Sequence, residues 1–77
     1  MNEMLEQLAE IICNYIDIDP DEVKSGVSLR SDLGMSSLDM INMTVEIEDT
    51  FNISLPNSEI INISTVDELI KYIEDNK

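Results

Sequence analysis

The chain has no histidine and no tryptophan, and it has one cysteine and four basic residues among its 77. Without histidine it lacks the commonest general base and the commonest zinc ligand. The single cysteine, Cys13, excludes an internal disulfide and is typical of a reducing compartment. No apolar run approaches the roughly 20 residues of a membrane-spanning helix, and the acidic segment Met1–Glu10 lacks the basic start of a signal peptide. We therefore expect a cytoplasmic protein with no membrane insertion.

Acidic residues dominate the charge of the chain. Seventeen acids against four bases give a formal net charge of −13. Such a charge opposes binding to nucleic-acid phosphates and to anionic membranes. Hydrophobic residues make up 43% of the chain, which is enough for one small core. We expect a single monomeric domain over residues 1–77, with no nucleic acid among its partners.

The acids are concentrated where bases are absent. The stretch Ser31–Ile70 contains eight acids and no base: Asp32, Asp39, Glu46, Glu48, Asp49, Glu59, Asp67 and Glu68. An acidic surface of this extent would attract basic partners and steer their approach. The plainer alternative is a solvated surface that only keeps the protein in solution.

Apolar residues at helical spacing predict three main helices. The first spans about Asn2–Ile16 and the second about Ser36–Phe51. The last begins after the capping-box pattern Thr65–Glu68 and continues to about Glu74. Because no segment alternates convincingly as a strand, the predicted fold class is all-α.

The connections complete a predicted four-helix bundle. Asp17–Ser28 is predicted to be a long loop, followed by two core anchors, Leu29 and Leu33. Asn52–Pro56 is predicted to be a short link, and Asn57–Asn62 one helical turn. The expected architecture therefore has three main helices, a short third helix and a long first loop.

The second helix has two apolar stripes, roughly 150° apart when residues advance by about 100° each. One stripe consists of Met40, Met43, Ile47 and Phe51, and the other of Leu38, Ile41 and Val45. Phe51 favours the first stripe as the core face, which leaves the second exposed between Glu48 and Asp49. An exposed apolar stripe with acids at its sides fits a docking face for a basic, apolar partner. The alternative is a helix buried on both sides.

Two serines stand at the head of the second helix. Gly34 allows a sharp turn, and Ser36 is predicted to be the N-cap that accepts the backbone N–H near Asp39. Ser37 is then the first helical residue, with an exposed hydroxyl. The helix dipole and unpaired N–H groups would favour a phosphate ester at Ser37. The alternative is that both serines only cap the helix.

The segment Leu33-Gly-Met-Ser-Ser-Leu-Asp39 resembles the Leu-Gly-x-Asp-Ser-Leu-Asp motif of acyl carrier proteins. Glu46–Phe51 followed by Ile53–Pro56 resembles the acidic end of that family's second helix and its Ile-Pro link. Ile63–Val66 and Ile70–Ile73 resemble the start and body of its last helix. The likeness runs over nearly the whole chain without a large gap.

The resemblance implies a four-helix bundle in which Ser37 carries 4′-phosphopantetheine through a phosphodiester. A phosphopantetheinyl transferase would attach this arm from coenzyme A with magnesium, and the arm's thiol would hold acyl groups as thioesters. The protein would be a carrier and not an enzyme, in agreement with its lack of histidine. Its partners would be acyl-processing enzymes with basic docking patches, and the default pathway is fatty-acid biosynthesis. The implied recognition residues are Leu38, Asp39, Ile41, Val45, Glu48 and Asp49.

The sequence departs from the family pattern at two positions. Ser36 replaces the usual aspartate before the modified serine, and Asn42 replaces a glutamate of fatty-acid carriers. These changes leave open a carrier of a specialised polyketide or aminoacyl/peptidyl pathway. A cofactor-free acidic helical adaptor is the alternative from another class. No metal site is expected, because the acidic run Asp17–Asp21 continues without the glycine and glutamate of a calcium-binding loop.

Overall fold

A computed structural model describes residues 3–77. It contains α1 (Glu3–Cys13), a 3₁₀ turn (Pro20–Glu22), α2 (Ser37–Phe51), α3 (Asn57–Ile60) and α4 (Val66–Asn76). Within the described residues the only β-type pairing is an isolated bridge between Ser28 and Thr65. The predicted all-α fold, with three main helices, a short third helix and a long first loop, is confirmed.

The bounds of three helices differ from those predicted. α1 ends at Cys13 and not at Ile16, and the predicted start at Asn2 lies outside the described residues. The reason for the early end is a tightened last turn, in which the Tyr15 N–H donates to the Ile12 carbonyl at 3.0 Å. α3 stops two residues earlier than predicted, at Ile60, and α4 continues two residues further, to Asn76.

The core is one cluster built from all four helices and the long loop. Leu29 is fully buried and Leu33 almost so, which confirms them as anchors of the loop. Large side chains with almost no exposed surface are Leu8, Ile12, Leu29, Met40, Met43, Ile47, Leu55, Ile60, Val66, Leu69 and Ile73. Because burial of apolar surface is the main stabilising term, these residues fix how the helices pack.

The long loop is tied to the start of α4 and to the segment before α2. The Leu29 N–H donates to the Ser64 carbonyl at 2.8 Å, and the Val66 N–H donates to the Val27 carbonyl at 3.0 Å. The Met35 N–H donates to the Leu29 carbonyl at 3.0 Å. These bonds give the loop a fixed path, so the residues that precede α2 have a defined position.

Carboxylates stabilise this acidic fold mainly by accepting backbone N–H groups. Three such bonds, each of 2.7 Å, are Ser28 to Asp32, Leu55 to Glu48 and Ser64 to Glu68. In contrast, the one ion pair among residues 3–77 is the exposed Lys71–Asp75 pair at 3.3 Å. Hydrogen bonds to a charged acceptor are stronger than neutral ones. Backbone N–H groups can therefore stabilise many carboxylates that have no basic side chain as a partner.

The capping box of α4 gives a first testable prediction. The Thr65 hydroxyl accepts the Glu68 N–H at 3.2 Å. Thr65→Ala should therefore lower the free energy of unfolding by about 0.5–2 kcal/mol, whereas Thr65→Ser should keep most of it. Urea unfolding followed by circular dichroism measures both, and equal midpoints for the two variants would contradict the role of the hydroxyl.

Candidate functional site

Ser36 is the N-cap of α2, as predicted. Its φ of −81° and ψ of 168° are extended, and its hydroxyl accepts the Asp39 N–H at 3.1 Å. The Asp39 carboxylate in turn accepts the Ser36 N–H at 3.0 Å, which completes a capping box. Serine therefore supplies the capping oxygen at the position where the family motif has aspartate.

The segment before the cap turns sharply and is held in the core. Gly34 has a φ of +78°, a value that side chains other than glycine rarely adopt. Met35 follows it and is almost fully buried. Since Met35 anchors the chain on the core, the next two residues emerge into solvent at a fixed place.

Ser37 is the first residue of α2, and it is exposed. No group among residues 3–77 is hydrogen-bonded to its hydroxyl. It lies in the first turn, where backbone N–H groups lack intrahelical partners and the helix dipole favours an anion. An accessible, uncommitted hydroxyl at this position suits a phosphate ester, so the local structure fits the implied phosphodiester.

The two apolar stripes of α2 face the core and the solvent as predicted. Met40, Met43 and Ile47 are fully buried. On the other stripe Leu38 is 65% and Val45 68% exposed, and Ile41 is half-buried. The fourth member of the core stripe, Phe51, is half-buried and packs against the edge of the core.

The three acids beside the exposed stripe differ in their surroundings. Asp49 is exposed, and its carboxylate makes no hydrogen bond or ion pair within residues 3–77. Asp39 and Glu48 are half-buried, and each accepts a backbone N–H, from Ser36 and Leu55 respectively. Both carboxylates therefore have a structural role in addition to any role in docking.

Glu46 is a further residue of this face that sequence reasoning did not single out. It lines a shallow groove of about 410 Å³ with Tyr15, Val45, Glu48 and Asp49. The Tyr15 hydroxyl donates to its carboxylate at 3.0 Å. Nothing local in the sequence indicates this contact, because the two residues are 31 positions apart. The groove continues the acidic, partly apolar face from α2 towards the end of α1.

The Tyr15 contact gives a prediction for alkaline pH. Burial, followed by the hydrogen bond to Glu46 and its charge, raises the pKa of Tyr15 above its ordinary value of 10.0. The folded state thus holds the Tyr15 proton more tightly than the unfolded state does. The resulting contribution to the free energy of unfolding is fully present below about pH 10 and is lost as the pH rises through the folded-state pKa. Tyr15→Phe should flatten the fall of melting temperature above about pH 10. Part of the fall should remain, because burial also raises the pKa of Tyr72. Identical pH profiles for Tyr15→Phe and the parent protein would contradict this assignment.

Cys13 is half-buried, and its thiol donates to the Ile18 carbonyl at 3.4 Å. Burial raises the pKa of Cys13, and the negative charges of Asp19 and Glu22 raise it further. Because the thiolate is the nucleophile, this cysteine is poorly reactive at neutral pH.

Residues 3–77 contain neither a membrane-spanning helix nor a cluster of metal-binding side chains. No helix formed by these residues has both the length and the apolar character needed to cross a bilayer. No group of three or more cysteine and acidic side chains among them is placed to hold a metal ion.

Comparison with known proteins decides the family. The family model for the phosphopantetheine attachment site matches residues 6–73. The chain is also 34% identical over 74 residues to the acyl carrier protein of Wolinella succinogenes, a match that covers 96% of this chain and 97% of the relative. The chain belongs to the acyl carrier protein family. Members of this family are non-catalytic carriers, and their attachment site takes phosphopantetheine.

Two further acyl carrier proteins extend the match. That of Zymomonas mobilis is 30% identical over 77 residues, covering 100% of this chain and 99% of the relative. The solved structure from Enterococcus faecalis superposes with a TM-score of 0.79 at 31% identity, covering 97% of this chain and 95% of that one. The acyl carrier protein fold thus spans nearly all of the chain.

Proposed function

We propose that residues 1–77 form a single carrier domain, with acyl intermediates held as thioesters on a 4′-phosphopantetheine arm esterified to Ser37. The observation that carries this proposal is the exposed, uncommitted hydroxyl of Ser37 in the first turn of α2. It lies within a chain matched by the phosphopantetheine attachment model. We further propose that the protein acts as a cytoplasmic monomer in fatty-acid biosynthesis, because its strong acidity favours the acyl type of carrier.

The residues around Ser37 have distinct parts in this function. Met35 fixes the segment on the core and Ser36 caps the helix, so Ser37 is presented in one geometry to an approaching enzyme. When bound, the arm supplies the terminal thiol on which thioesters form. Cys13 does not compete with that thiol, because burial and nearby acids keep it protonated. Since the chain has no histidine, we expect a base of the transferase to accept the proton of the Ser37 hydroxyl.

The exposed stripe of α2 is the proposed docking face for the transferase and for acyl-processing enzymes. Leu38 and Val45 offer apolar surface, and half-buried Ile41 lies between them in the sequence. The charges of Asp39, Glu48 and Asp49 would steer basic patches of partner enzymes towards this face. The sequence departs from the family pattern at Ser36 and Asn42, which cap and form part of the same helix. We therefore expect this helix to determine how partner choice differs from that of other family members.

The core beneath the docking face contains two methionines that we propose as the adaptable part of the carrier. Met40 and Met43 are both fully buried. Because unbranched thioether side chains repack easily, we expect them to move first if an acyl chain enters the bundle.

The proposed function is tested by loading the purified apo protein in two steps. A transferase with coenzyme A and magnesium should add one arm, a gain of about 340 Da, and an acyl donor with its transferase should then add an acyl group. Neutral hydroxylamine should release that group, because it cleaves thioesters. Cys13→Ser is the matched control and should load to the same extent. An acyl group that resists hydroxylamine, or that disappears in Cys13→Ser, would contradict the proposal.

A further inference from the structure

Arg30 lies in the loop that leads into the proposed attachment site. It is the only arginine of the chain and the base nearest to Ser37 in the sequence. Its carbonyl accepts the Gly34 N–H at 3.1 Å, and the neighbouring Leu29 carbonyl accepts the Met35 N–H at 3.0 Å. Ser37 is two residues beyond Met35, and consecutive Cα atoms are about 3.8 Å apart. Arg30 and Ser37 are thus both exposed and are separated by one hydrogen bond and a few chain steps.

The Arg30 guanidinium has no carboxylate of residues 3–77 within 4.0 Å. The two acids that flank this region are held by backbone donors. The Ser28 N–H binds Asp32 at 2.7 Å, and the Ser36 N–H binds Asp39 at 3.0 Å. Within residues 3–77, Lys24 and Lys77 also lack an ion pair, but of the four bases Arg30 is the one nearest to Ser37 in the sequence.

We propose that Arg30 binds the phosphodiester that joins the arm to Ser37. This inference rests on the proposed function, since the arm supplies the anion. The planar guanidinium can donate two parallel N–H groups to phosphate oxygens. The first turn of α2 favours the same anion. Binding of the phosphodiester by Arg30 holds the Ser37 end of the arm near the loop of residues 28–34. The stripe of Leu38 and Val45 then stays free for docking.

An exposed ion pair shifts the equilibrium between an arm bound to Arg30 and a free arm by roughly 1.5- to 5-fold. The effect is therefore on the position of the arm and not on the fold. Nuclear magnetic resonance reads it directly, because a chain with one arginine gives one arginine Nε–H resonance. That resonance should shift when the apo protein becomes the holo protein. The shift should shrink at about 1 M salt, where the screening length is about 3 Å.

The phosphorus resonance of the arm provides the matched comparison. In Arg30→Gln it should move relative to the parent holo protein, and Arg30→Lys should restore part of the difference. Lys24→Gln removes the same charge from an exposed residue of the preceding loop segment and should leave the resonance unchanged.

Two results would overturn the Arg30 proposal alone. One is a phosphorus resonance that is the same in Arg30→Gln and the parent, and the other is an equal shift in Lys24→Gln. Both results presuppose that intact mass first shows an arm on the parent protein. If no arm can be attached, the proposed function fails, and the Arg30 proposal fails with it.

Discussion

Ser37→Ala is expected to abolish loading of the phosphopantetheine arm and to leave the fold intact. The hydroxyl is exposed and has no partner within residues 3–77, and alanine is the best helix former. The change in the free energy of unfolding should therefore stay within about 0.5 kcal/mol. After incubation with coenzyme A, magnesium and a broad-range transferase, the parent should gain about 340 Da and the variant nothing.

Ser36→Asp is the control for the neighbouring hydroxyl. Aspartate keeps the N-cap of α2 but cannot be esterified by the transferase, so this variant should load as the parent does. Ser36→Ala is a weaker control, since loss of the cap costs about 0.5–2 kcal/mol. An arm that persists in Ser37→Ala and is absent in Ser36→Asp would move the attachment site by one residue.

The double variant Leu38→Ser/Val45→Ser is expected to impair recognition by the transferase. These side chains are 65% and 68% exposed, so their loss should change the melting temperature little. Residues packed at the centre of an interface contribute most of its binding energy, and a loss of about 1.4 kcal/mol lowers kcat/KM about tenfold. Steady-state kinetics with the apo carrier as the varied substrate gives this ratio.

Ile61→Ser is the matched control for the docking face. Ile61 is 51% exposed but lies at the end of α3, outside the stripe. It should load as the parent does. Equal losses at Ile61 and at the stripe would contradict a docking face centred on α2.

Asp49→Asn should slow loading at low salt and should have little effect at high salt, where exposed charges are screened.

Local features of the sequence were enough to predict most of the architecture. The N-cap of α2 and the capping box of α4 depend on residues three positions apart, and both occur where the pattern placed them. The stripes of α2 follow from helix geometry alone, and Met43 and Val45 lie on opposite sides as predicted. The exposure of Ser37 follows from the cap at Ser36, so the exposed position of this candidate residue could be predicted.

Contacts between distant segments could not be predicted. The bond from Tyr15 to Glu46 joins the region after α1 to α2, and it depends on how the two helices pack. The bond from Leu55 to Glu48 depends on how the chain returns after α2. For the same reason the sequence showed Arg30 as one base among many acids, whereas the loop hydrogen bonds join it to Gly34, three residues before Ser37. Periodicity describes one element at a time and contains no information on these pairings.

The central claim is tested most directly on protein isolated from its native host. Trypsin should release the base-free stretch as one peptide, Ser31–Lys71, and fragmentation of that peptide separates Ser36 from Ser37. The account predicts a phosphopantetheine arm on Ser37, with a fraction of it bearing acyl groups that neutral hydroxylamine removes. An unmodified Ser37, or acyl groups attached elsewhere on the chain, would contradict it.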